Sequence, residues 1–396
     1  MTDPVKPDRA TAGNIAILDA ARAVIAEQGL AGMSLRTVAQ QAGLSVGAIS
    51  YRFGDRAALV AAILEREIAV TTAERADWTA RVRGMDPVAA EILPDLVIAW
   101  LEAGAWARRT SAIVTCELAL LASRDPAALP GMATLFAAGD ALWAELLPDD
   151  AALARRIASY CRDEQPFSIL LSGDVDYRLL RQSTVRGLLR DPGAAVRPAW
   201  GEWHMGLVDR LAVPAAAALG HAVVPEGAKA VIAGHAADVI VAQGVGALSH
   251  RVVAQASGIA VSSIAHHYPS YRDVLFAGVE AIYRRMRAGI VAGGGTPPSS
   301  SAIIRLTHEC ALHALSNPAF LPFAIDMRRR RAENVHPQIA ALLDIPTGSD
   351  RARVQAVVMG LIGEGLFNLA TGRPAPVLAD AMSWMGRTVR VSLDDD

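Results

Sequence analysis

The sequence predicts an all-α chain made of two tandem units of one design. Three observations carry this. First, apolar residues recur at helical spacing: Ile17, Leu18, Ala21, Val24 and Ile25 form one stripe. Second, Val, Ile, Tyr and Phe nowhere gather into alternating runs joined by hairpin turns, and much of the 52% hydrophobic content is alanine, the best helix former. Third, a block near the N-terminus returns 215 residues later without a gap.

The first block runs from about Ile15 to Leu59. Its first helix carries the Ile17–Ile25 stripe and ends at Gln28-Gly29, where glycine suits a left-handed terminus. Ser34 stands where an N-cap belongs, before Leu35, Val38 and Ala39, and Gly43 closes this short second helix. Ser45 caps a third helix from about Val46 to Arg52. Two short helices joined by a tight glycine-containing turn make a helix-turn-helix, whose second helix lies in the DNA major groove. Val46, Gly47, Ala48 and Ser50 are then expected to face base edges. Arg36, Tyr51, Arg52 and Arg56 are expected to hold phosphates, with Ser34, Thr37 and Ser45 alongside them on the DNA-binding face.

The segment AGLSVGAISYRFGDRAAL resembles the signature of the TetR (tetracycline-repressor-like) family, through Gly43, Ser45, Gly47, Ile49, Phe53, Arg56 and Leu59. Ser50 stands where that signature has Tyr, and Arg56 where it has Lys. The resemblance implies a helix-turn-helix bundle followed by a helical sensor domain, and a regulator of transcription that releases its operator on binding a small molecule.

With 396 residues the chain is long enough for two or more domains, at roughly 100–200 residues each. Net charge is −2, which does not mark a nucleic-acid protein as a whole. Within the first bundle, however, Arg9, Arg22, Arg36, Arg52, Arg56 and Arg66 outnumber the acids. The three cysteines, Cys116, Cys161 and Cys310, are widely spaced and form neither a disulfide framework nor a zinc pattern, which fits a reducing cytoplasm. Residues 1–13 lack the apolar run of a signal peptide, and no long charge-free apolar segment reads as membrane-spanning.

One long helix is expected from Ala57 to about Arg75. Helical patterns then run from Pro87 to Arg190, broken at Pro94, Asp125-Pro126, Pro148 and Pro166. Pro192 to Gly227 reads as a junction. These signals divide the chain into a first helix-turn-helix domain at 1–65, a first sensor domain at 66–212, a linker at 213–227, a second helix-turn-helix domain at 228–282 and a second sensor domain at 283–396.

The second block pairs Gly29 with Gly244, Ser34 with Ser249, Arg36 with Arg251, Gly43 with Gly258, Val46 with Val261 and Ile49 with Ile264. It is the poorer family match: Ser262 and Ala265 replace the glycine and an aromatic position, and Tyr271 stands in the place of the basic residue. Its DNA-facing candidates are Ser249, Arg251, Ser262, Ser263, His266, His267, Tyr268, Tyr271 and Arg272. It either reads a different half-site or persists as scaffold.

A flexible break is expected at 293–301 (GGGTPPSSS). Arg328 to Arg331 reads as a solvated helix face or the cationic end of a helix. Arg353 to Thr371 is a strongly apolar helix suited to the four-helix dimer interface the family resemblance implies, or to a plain core. The terminal acidic residues read as disordered.

No dinucleotide-binding glycine fingerprint follows a strand, and neither a phosphate loop nor a nucleophile elbow is present, so no enzyme and no cofactor is expected. His235, His250, His266 and His267, like His308, Cys310 and His313, lack a shared helical face, so no metal is expected. Trp100, Trp106, Phe136 and Trp143 are candidates to line a ligand cavity in the first sensor domain, and Phe320, Phe323 and Phe367 in the second. A hydrophobic or aromatic effector is expected. The favoured architecture is a single chain acting as its own pseudo-dimer on an imperfect palindromic operator, with a homodimer as the other. The competing function is a helical interaction or ligand-binding protein whose helix-turn-helix units no longer read DNA.

Overall fold

The computed structural model describes residues 9–83, 90–190, 197–211, 224–291 and 299–373. Every regular element among them is helical. The N-terminal bundle holds α1 (Arg9–Gly32), α2 (Leu35–Ala42) and α3 (Val46–Phe53), and α4 (Arg56–Arg83) leads out of it. There follow α5 (Leu93–Ala105), α6 (Arg109–Arg124), α7 (Met132–Leu146), α8 (Ala151–Leu171), α9 (Val175–Leu188) and α10 (Pro198–Arg210). The C-terminal half has α11 (Gly227–Gln243), α12 (His250–Ser257), α13 (Val261–His267), α14 (Tyr271–Val291), α15 (Ser299–His313), α16 (Leu321–Arg329), α17 (His336–Leu342) and α18 (Arg351–Ala370).

Local chemistry sets the bounds. Ser34 accepts the Thr37 amide while Thr37 Oγ1 accepts the Ser34 amide, a reciprocal cap at the start of α2. Gly43 ends α2 at φ 66°, and Gly258 ends α12 at φ 71°, where side chains other than glycine's are strained. The helices α12, α13 and α14 each begin 215 positions after α2, α3 and α4. Gly29 (φ 70°, ψ 169°) and Gly244 (φ 91°, ψ 164°) share a conformation essentially restricted to glycine.

Several expectations need correction. The long helix after α3 extends to Arg83 instead of Arg75. Pro166 does not break the chain but lies inside α8. The carbonyl of Arg162, which Pro166 leaves without its helical partner, sits beside the imidazole of His308. The junction at 192–227 contains a helix, α10, with Pro198 in its first turn, where a missing amide costs nothing. Of the linker at 213–227, residues 213–223 lie outside the described residues. Most of the expected break at 293–301 and the acidic tail do too.

The two halves meet along α18, which packs against α8, α9 and α6. Two glycines set the approach. A Cβ on Gly363 would overlap the carbonyl of Ser159, and one on Gly187 would come within 2.7 Å of the Ala352–Arg353 peptide. The seam also holds the arginine run, which is not a solvated face. Arg328 is fully buried, donating Nε and Nη2 to Glu164 at 2.8 and 2.7 Å. Arg331 donates to buried Asp163 at 2.9 Å. Tyr160 and Tyr177 donate to the same Glu164, and Arg328 also reaches Gln355 at 2.9 Å. A guanidinium can enter this interior because two carboxylates from α8 already wait there.

Candidate nucleic-acid interface

The core of the first bundle fixes α3 from behind. Ile49 is fully buried against Ile17, Val38 and Leu59, and α3 turns its other face outward. Leu44, Val46 and Tyr51 are exposed there, Tyr51 at 91%. Ser45 Oγ accepts the Ala48 amide, which caps α3. Gly47, Ser50 and Arg36 are exposed as well, and Ala48 is half-buried.

The arginines divide by what they touch. Arg52 donates to Asn14 Oδ1 at 3.3 Å and remains exposed. Arg56, expected to hold phosphate, instead donates to the carbonyls of Leu30 (2.8 Å) and Met33 (3.0 Å). Its guanidinium closes the frayed carbonyls beyond the α1 kink. Ser34 and Thr37 are likewise spent on each other at the α2 cap.

The corresponding surface of the C-terminal half is α12 and α13. Ile264 is fully buried and packs like Ile49. Val261, Ser262 and His266 are exposed, as are Arg251 and Arg272, while Ser263 and His267 are half-buried. Ser249 Oγ caps α12 through the Val252 amide. Tyr271 is drawn inward: its hydroxyl donates to the carbonyl of Val245 at 3.5 Å and its ring lies 6.2 Å from that of Phe320. Tyr271 and Val245 stand 215 positions after Arg56 and Leu30, so the tyrosine reaches the carbonyl its counterpart reaches. Tyr268 is also engaged, donating to the Lys229 carbonyl at 3.0 Å while its own carbonyl bonds the His250 ring at 2.7 Å. Tyr268 and Tyr271 are thus half-buried, each with its hydroxyl bonded within the bundle.

The kink at Gly29 inside α1 and the one at Gly244 that ends α11 each lie against a glutamate that the sequence did not single out. A Cβ on Gly29 would lie 3.2 Å from a carboxylate oxygen of Glu117, and one on Gly244 would lie 3.3 Å from both oxygens of Glu309. Glu117 accepts the Leu30 amide, and Glu309 accepts the Val245 amide at 2.9 Å. Burial pushes the Glu117 carboxyl up to about 7, with neighbouring Glu309 adding to the rise and the Leu30 bond opposing it. Arg124 pairs with Glu309 and donates to the carbonyls of Val241 and Ala242, the last turn of α11. Glu117 and Glu309 are 192 positions apart, off the offset of the repeat, so the gapless alignment could not pair them.

Beneath the first bundle lies a cavity of about 110 Å³, bounded by α4 to α8 and by Leu366 of α18. Trp100, Phe136 and Trp143 line it. The guanidinium of Arg108 stacks on Trp100, 3.5 Å from the ring centroid. A polar chain leads from this wall to the bundle. Arg108 faces Glu74 at 3.6 Å, Glu74 accepts from Ser111 at 2.7 Å, and Ser111 accepts from Arg22 of α1 at 2.9 Å. Arg22 in turn donates to buried Glu67 at 2.7 Å. The remaining aromatic candidates lie elsewhere. Trp106 is 66% exposed because α5 ends at Ala105 and the chain turns outward. Phe320 and Phe323 are sealed in the core of the C-terminal bundle, against Tyr271 and Phe276. Phe367 packs on Phe136 at 5.4 Å, behind the cavity wall.

Among the described residues no three His, Cys, Asp or Glu side chains cluster as a metal site, and no helix is long and apolar enough to cross a membrane. Cys116, Cys161 and Cys310 are buried free thiols. No curated protein matches the chain. Residues 17–63 match the family model described as bacterial regulatory proteins, tetR family, so the chain carries a TetR-type DNA-binding helix-turn-helix domain there, the domain of a TetR-type transcriptional regulator.

Proposed function

We propose that the chain is a ligand-responsive repressor that works as its own pseudo-dimer. The observation that carries this reading is the return of three helix starts at one offset, with matching kinks at Gly29 and Gly244 and matching carboxylate clasps from Glu117 and Glu309. One polypeptide then presents two recognition helices, α3 and α13, on halves joined through α18. In a two-fold regulator such helices enter successive major grooves about 34–36 Å apart. Base edges are read by Val46, Gly47, Ala48 and Ser50 on one side and by Ser262, Ser263 and His266 on the other. Arg36, Tyr51 and Arg52, with Arg251, His267 and Arg272, hold phosphates. Because the readers differ, the operator is an imperfect palindrome.

The cavity at Trp100, Phe136 and Trp143 is the effector site in this reading. An aromatic or apolar molecule there displaces Arg108, and the chain through Glu74 and Ser111 carries the displacement to Arg22 in α1. The bundle shifts, and the population moves to a state that spans the operator poorly.

Fluorescence-anisotropy titration against the DNA flanking the gene, at two salt concentrations and with mass measured in the same buffer, tests the reading. Selective binding that weakens steeply with salt, at one chain per site, is expected. Two chains per site would discard the pseudo-dimer, and no selective binding at low salt would favour an interaction protein.

A further inference from the structure

A second cleft, of about 240 Å³, opens between α10 and the segment from α16 to α18, away from both helix-turn-helix surfaces and from the tryptophan-lined cavity. Its wall carries Arg329, Arg330, Arg331 and Arg351 against Asp209 and Glu333. Three of the arginines are already engaged: Arg329 with Asp326 at 2.9 Å, Arg330 with Glu333, and Arg331 with Asp163 at 2.9 Å. Two charges remain. Arg351 and Asp209 line the same cleft, yet neither makes an ion pair or a side-chain hydrogen bond among the described residues, with each other or with a third group. The same cleft is lined by a buried imidazole. His204 is 1% exposed; its Nδ1 bonds Ser183 Oγ at 3.0 Å, and its other ring nitrogen has no partner. Burial, with Arg328 and Arg351 adding to it, holds His204 down to about 3, so the ring is neutral and serves as a hydrogen-bonding group.

A simple anion would satisfy Arg351 and repel Asp209; a simple cation would do the reverse. A molecule bearing both charges satisfies both. The cleft holds about eight water molecules' share of liquid volume, and the rest of its wall sets the apolar Met205, Val208 and Ala332 beside the polar His336 and Gln355. We propose that this cleft binds a free α-amino acid with a small apolar side chain, its carboxylate on Arg351, its ammonium on Asp209 and its side chain against Val208. The ligand would bridge α10 of the N-terminal half to α18 of the C-terminal half. This inference does not rest on the DNA-binding reading.

The test is isothermal titration calorimetry of the full chain with L-valine, alongside isovalerate, which lacks the amine, and isobutylamine, which lacks the carboxylate. Valine is expected to bind at one per chain, with each analogue at least tenfold weaker. Arg351→Gln and Asp209→Asn are each expected to weaken valine at least tenfold. Neither side chain has a partner to lose, so both variants should melt like the parent without ligand. Absence of valine binding overturns the proposal. So does isovalerate binding as tightly as valine, or Asp209→Asn leaving the affinity unchanged, since either would mark a site for anions alone. Should a variant fail to fold, the analogue series on the parent protein decides.

Discussion

Glu309 accepts the amide of Val245 at 2.9 Å, one residue beyond the kink that ends α11. Glu117 does the same for Leu30 beyond the kink in α1, and the two glutamates lie close enough for each charge to weigh on the other. Both carboxylates come from helices outside the two bundles, α6 and α15, which pack together. Each therefore ties a bundle to the helix beneath it by a single directed bond.

Burial pushes Glu117, and separately Glu67, up to about 7 from an ordinary value of 4.5. An acid whose pKa is raised by folding holds its proton more tightly in the folded chain. Its favourable contribution is full below about pH 4.5, falls as pH rises to about 7, and is constant above. Urea midpoints measured across that window are expected to decline with pH, and Glu117→Gln to flatten the decline. An unchanged slope in the variant would place the titration elsewhere.

Gly363→Leu is expected to open the seam between α8 and α18, since even a Cβ overlaps the Ser159 carbonyl and both partners are backbone. Overpacking of a well-packed interior costs about 1–3 kcal/mol or more. Chemical denaturation should show this loss, and none for Gly201→Ala inside α10, where nothing lies within 4 Å of the added carbon and alanine favours the helix.

Arg328→Met leaves Glu164 buried without its cation and should destabilise the fold by about 3–5 kcal/mol. Adding Glu164→Leu should restore much of that loss, because the unpaired charge is then gone. A double-mutant cycle by urea titration checks it. Additive losses would mean that the pair does not act as a unit.

Arg36 and Arg56 should separate cleanly. Arg36 is exposed, and Arg36→Ala should lower the slope of log affinity against log salt by about one unit. Arg56 is held by the carbonyls of Leu30 and Met33, so Arg56→Ala should lower the melting temperature and leave the slope intact. Anisotropy at several salt concentrations, paired with thermal melts, distinguishes the two effects. A reduced slope for Arg56→Ala would return that residue to the phosphates.

The helical class, the caps at Ser34 and Ser45 and the glycine termini were legible because each depends on a few adjacent residues. Helix periodicity also found the stripe that buries Ile17 and Ile25. What the sequence withheld was long-range pairing. Arg328 looks like part of a solvated basic run until Glu164, far away in the chain, is brought beside it. Arg56 looks like a phosphate ligand until the end of α1 folds back under it, and Pro166 looks like a helix end until α8 is supported on all sides. Trp106 and Phe320 are equally aromatic on paper; whether either faces a cavity depends on helix ends and packing that no local pattern encodes.

The seam at Gly363 and Ser159 lies within one polypeptide, so its closure is a matter of fixed effective concentration and does not weaken on dilution. The genetics should follow. In the proposed pseudo-dimer a defective copy has no subunit to exchange with a sound one, so a damaged allele should behave as recessive; a dominant-negative allele would mean that chains pair.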